Sequence, residues 1–192
     1  MKRLLAGILA AAASLTPAVA QTPPATPFDL FRRVCIDTNA DMARAVATPE
    51  LRGWLNMPFP MQPHIENGKI TAKELRVKAE GRDKVIVVMA ARGEVTAKDG
   101  RKIPFVNCTV AFKPGDLAPA QARVRAWLGF DPMPLPKGVI GFHFTEKAGV
   151  RTPLRVAKLS EMPAQPAGVR VGAVDLKFEK GSLILSYTLP RL

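Results

Sequence analysis

The chain is 192 residues long, 47% apolar and 6% aromatic, with 28 Lys and Arg against 16 Asp and Glu for a formal charge of +12. Basic charge without aromatic residues interleaved on a strand argues against a nucleic-acid surface. Only two cysteines and two histidines occur, which leaves few ways to assemble a nucleophile, a base or a metal site.

Residues 1–20, MKRLLAGILAAAASLTPAVA, place Lys2 and Arg3 before an apolar run and end on Ala18-Val19-Ala20. A basic start, a core too short to span a bilayer and a small-x-small site predict a signal peptide cleaved near Ala20. No later stretch offers about 18 consecutive apolar residues, so the mature chain is expected to be soluble, exported to the periplasm or beyond, and without a transmembrane segment. Losing Lys2 and Arg3 takes the charge from +12 to +10, still basic enough to be drawn to anionic lipid heads or acidic polymers. Residues 21–27, QTPPATP, read as a polar tail, and 28–192 as one globular domain.

Phe28, Phe31 and Cys35 recur at helical spacing and predict a first helix from Phe28 to Asp37. Asp41 is expected to cap a second, shorter helix carrying Met42, Ala45 and Val46. NMPFPMQPHIENG, residues 56–68, has no usable period and reads as an ordered loop.

Leu75, Val77 and Ala79 alternate with Arg76, Lys78 and Glu80, predicting a strand that turns through Gly81-Arg82-Asp83 into a hairpin over 84–112. Asp99-Gly100 fits a two-residue turn with Lys98 paired to Arg101. That register sets Ala91 against Cys108, Met89 against Val110 and Val87 against Phe112 as the core face. Residues 84–90 are nearly all apolar and suit a strand with neighbours on both sides.

Pro114-Gly115-Asp116 then opens a helix over LAPAQARVRAWL, closed by Gly129 at C′. DPMPLPKG, residues 131–138, forms a second proline-rich loop. Strands are expected at 139–145 and 150–159, and again as a final pair turning at Lys180-Gly181-Ser182. The sum is an α+β fold: an antiparallel sheet of six or seven strands with two or three helices packed on one face.

In an oxidising compartment, Cys35 on an apolar helix face and Cys108 on the hairpin's core face favour a bridge. Two separate buried thiols are the alternative.

No H-E-x-x-H, G-x-S-x-G, Walker or dinucleotide motif occurs, and the two cysteines lack C-x-x-C spacing, so no catalytic or cofactor-binding residue is assigned and no cofactor is expected. Phe142 and Phe144 share one strand face, which leaves His143 on the other as a surface or half-buried imidazole. Met57, Met61 and His64 are soft donors of the kind that hold Cu(I), against a bland reading in which the methionines fill core gaps.

An early Phe31-Arg32-Arg33-Val34-Cys35, then Gly53-Trp54, Asn107-Cys108-Thr109-Val110 and Ala126-Trp127-Leu128-Gly129 follow the leader. In this order the chain resembles a group of small, uncharacterised exported proteins of Gram-negative bacteria. The resemblance covers about residues 28–129. It implies the same placement and the same cysteine pair, and carries no activity.

The leading expectation is a non-enzymatic binding or structural protein of the envelope. It would meet an anionic component or another envelope protein through loops 55–68 and 130–138, with His64, Arg123, Arg125 and Lys137 as contacts. The alternatives are an envelope hydrolase with His64 or His143 as general base, and Cu(I) handling by Met57, Met61 and His64.

Overall fold

The computed structural model describes residues 26–58, 68–161 and 166–191; the predicted signal peptide lies outside them. Among the described residues, nine antiparallel strands form one sheet: β1 (Leu55–Asn56), β2 (Gly68–Glu80), β3 (Lys84–Thr96), β4 (Lys102–Lys113), β5 (Met133–Leu135), β6 (Val139–Lys147), β7 (Val150–Pro153), β8 (Arg170–Glu179) and β9 (Ser182–Pro190). Their order is β1-β2-β3-β4-β9-β8-β6-β5, with β7 also pairing β6. The antiparallel α+β expectation holds, with more strands than the six or seven expected. The excess over seven lies in β1 and β5, two and three residues long, too short to show a period in sequence.

Among the described residues, three helices lie on one face. α1 (Pro27–Phe31) starts at Thr26, whose hydroxyl accepts from Asp29 N while its own N–H donates to the Asp29 carboxylate, a reciprocal cap that satisfies two otherwise orphan donors. The helix continues as a π-helical turn over Arg32–Ile36, so the predicted extent holds and only its last turn is wider. α2 (Met42–Val46) is capped by Asp41 as expected, and α3 (Leu117–Leu128) by Asp116. Gly129 ends α3 at φ +81°, a conformation only glycine adopts without cost.

Phe28, Phe31, Val34 and Cys35 from the first helix and Ala120, Val124 and Leu128 from α3 pack on Val88, Val110, Phe142, Phe144, Leu185 and Tyr187. Cys35 and Cys108 are bonded, with Cα atoms 5.3 Å apart and both residues fully buried. Closing a loop across 73 positions contributes about 4 kcal/mol in the chain-entropy account.

The hairpin register differs by one residue from the expectation. Cys108 pairs with Ala90, Val110 with Val88 and Phe112 with Ile86. The reason is the turn: Ala97 and Arg101 close it, Ala97 N donating to Arg101 O, and Gly100 sits at φ +83° as the left-handed third loop residue. The β4 face was read correctly, but Val87, Met89 and Ala91 point away from the helices.

The strand expected over 150–159 ends at Pro153. Leu154 N bonds His143 O, and the chain then crosses the opposite face, where Leu154 and Val156 pack on Val171 and Ala173. Glu161 pairs with Lys98 at 3.0 Å and ties this strap to the β3–β4 turn.

Candidate functional site

Charged side chains concentrate where β6, β7, β8 and β9 reach the C-terminal ends of the helices. Direct pairing sets Glu146 opposite Arg170 on one side and Arg151 on the other, all on the helix-facing side. Glu146 Oε2 accepts from Arg151 Nε at 2.9 Å and Oε1 from Arg170 at 3.0 Å. Arg151 also donates to the Trp127 carbonyl at 3.3 Å, in the last turn of α3, and its guanidinium stacks on the Trp127 ring 4.6 Å from the centroid. A cation at a helix C-terminus is favoured by the helix dipole, and the ring adds a cation–π term.

The other helix end supplies Asn39, in a left-handed turn at φ +56° beyond the π-helical turn. Its Oδ1 accepts from Arg170 at 2.7 Å and its carbonyl from Arg191 at 3.4 Å. The turn is held by Asn39 N to Ile36 O and Ala40 N to Cys35 O, one residue pair from the disulfide. Beneath lies Tyr187, 1% exposed. Burial pushes its hydroxyl above the ordinary value, and Arg170, Glu146, Arg151 and Arg191 all act on it electrostatically. Two guanidiniums thus share one carboxylate, and a third, from Arg191, joins the cluster at the Asn39 carbonyl. Arg170 Nε is buried with no hydrogen-bond partner, while the side chain as a whole is 40% exposed.

The sequence-derived candidates lie elsewhere. Met57 is 45% exposed just past β1, while Met61 and His64 lie outside the described residues. Arg123, exposed, lines a cavity of about 190 Å³ with Thr26, Phe28, Asp116 and Pro119. After the Thr26 hydrogen bonds, Arg123 also helps hold the Asp29 carboxyl below its usual range. Arg125 is paired with Asp131 at 2.8 Å and lines a different depression on α3. Lys137 is exposed in the turn Pro136–Gly138. The two proline-rich loops leave from β1 and β5, at opposite ends of the strand order.

His143 is not a surface or half-buried imidazole but 4% exposed. The strap covers it: Nδ1 lies 2.7 Å from Val156 O and Nε2 2.9 Å from Asp175 Oδ1. Both nitrogens face protein acceptors, so neither is directed at a substrate. The cavity beside the ring, bounded by Phe130, Met133, Leu154 and Arg155, holds about 70 Å³, room for one or two waters rather than a sugar ring. Among the described residues, no group of three or more His, Cys, Asp or Glu could hold a metal ion.

Sequence reasoning passed over Glu146, Arg151, Arg170, Arg191 and Asn39. The signal that could have found them is the β6–β8 register, which sets an acid against a base at matched strand ends. No protein-family model, curated protein or solved structure matches the chain.

Proposed function

We propose that the protein is an exported, non-enzymatic binding protein of the periplasm that takes an anionic component of the cell envelope at the arginine cluster. The observation that carries this reading is the surplus of positive charge at this end of the sheet: Arg151 and Arg170 engage both oxygens of the single Glu146 carboxylate, and Arg191 joins them at the Asn39 carbonyl. The setting is half-buried, so salt screens it less than an open surface. The Cys35–Cys108 bridge supports an oxidising compartment, and the charge of +10 that remains once Lys2 and Arg3 are lost with the leader favours encounter with anionic surfaces. Arg123 and Lys137, also exposed, lie apart from the cluster as secondary contacts.

Retention on vesicles of phosphatidylglycerol in phosphatidylcholine tests the reading. It should fall steeply from low to high ionic strength, and the double variant Arg170→Gln, Arg191→Gln should weaken it. Retention indifferent to both changes would reject the proposal.

A further inference from the structure

We infer that the arginine cluster is a site for a phosphomonoester; this rests on the anion-binding reading above and names the ligand chemistry. Two features single out that class.

The first is the balance of hydrogen-bonding groups. Within the cluster, both Glu146 oxygens, both Asn39 oxygens and the Trp127 carbonyl each take an arginine N–H. A guanidinium carries five N–H groups and no acceptor. Those contacts use two from Arg170 and one from Arg191, and the Asn39 amide nitrogen has only donors to offer. The hydrogen-bonding groups the cluster has left are therefore donors, suited to a ligand made of acceptors alone. An ionised phosphate is such a ligand, and planar guanidinium forks match its oxygens.

The second is charge. Arg151 and Arg170 bonded to Glu146, with Arg191 joined through Asn39, put three cations against one carboxylate and leave two positive charges unmatched within the cluster. A phosphomonoester dianion matches both. A phosphodiester or a carboxylate brings one and leaves a guanidinium uncompensated. Arg151 is committed to the Trp127 ring, so the ligand meets Arg170, Arg191 and Asn39. The left-handed Asn39 turn is fixed beside the disulfide, so little ordering is needed on binding.

Calorimetry on the full chain with phenyl phosphate, dimethyl phosphate and acetate reads the class directly. Phenyl phosphate should bind at least about tenfold tighter than the other two, the size of one charge-assisted contact. Asn39→Asp is the decisive variant. It tolerates the left-handed turn and keeps an oxygen for Arg170, but replaces the amide donor with a negative charge. Phenyl phosphate binding should drop about tenfold or more while the melting temperature holds. Measurable but equal affinity for the three probes, or an Asn39→Asp variant that binds as the parent does, overturns the inference.

Vesicles doped with phosphatidic acid separate the sources. Retention there without phenyl phosphate binding assigns the phosphate to a lipid, and binding of both supports the shared chemistry. Arginine-dependent retention on phosphatidylglycerol with no preference for either monoester overturns this inference alone. Loss of all binding ends the anion reading with it.

Discussion

The two faces of the sheet are made by the same strands and treat apolar residues differently. On the helix side Val88, Ala90, Cys108, Val110, Leu185 and Tyr187 are 1% exposed or less. On the other side Leu55, Val77, Val87, Ala111, Ile184 and Val139 make a row across the strands by direct pairing, with Lys177 between the last two. Every residue of that row keeps some exposure. Burial here is conferred by what lies over a strand. The strap from Leu154 to Glu161 covers His143, Val171 and Ala173, and the row is left outside it. An apolar residue in β3 therefore says little about which side is the core.

Adjacent substitutions put the largest strain on this comparison. A carboxylate at Val88→Asp is shut beneath the helices and should cost about 5 kcal/mol, enough to unfold the chain, whereas Val87→Asp reaches water and should cost about 1 kcal/mol. Urea midpoints measure both, and equal losses would mean the faces are assigned wrongly.

Next in size is the covalent tie between the helix layer and β4. Cys35→Ala with Cys108→Ala should remove about 4 kcal/mol, read as a fall in melting temperature that reducing agent reproduces in the parent and not in the variant.

At the sheet's end, Glu146→Gln leaves Arg151 and Arg170 without their shared carboxylate and should cost about 2 kcal/mol. A melting temperature unchanged by that substitution would show that the cross-strand triad does not hold β6, β7 and β8 together.

The smallest effect is acid loss at the β2–β3 turn. Hydrogen bonds from Lys78 and Lys84 hold Glu80 down to about 2. A carboxyl that is more acidic folded than unfolded stabilises the fold fully above its ordinary value near pH ~4.3 and loses that contribution as the pH falls through its folded value. Glu80→Gln should therefore flatten the decline in stability between about pH 4 and pH 2. Parallel declines in parent and variant would disconnect Glu80 from it.

Much of the local architecture was legible in the chain. Asp41 and Asp116 cap helices because a short carboxylate bonds backbone N–H groups two or three residues on, and Gly129 stops α3 because it alone turns left-handed freely. The β3–β4 register was not legible, since Asp99-Gly100 fits both a two-residue and a three-residue turn and β3 is apolar on both sides. Nor was the arginine cluster. Arg170 and Asn39 are 131 positions apart, and Glu146 sits beside them only because β6 pairs β8 in one register.

The chain by itself determined where the helices and the long strands form and that Cys35 and Cys108 share an apolar environment, because those outcomes depend on neighbours within a few residues. Tertiary structure alone decided which side of β3 is core, what encloses His143, and which cations meet at Glu146. These follow from strand pairing and from where one long connection crosses the sheet, and both are set by contacts between distant parts of the chain.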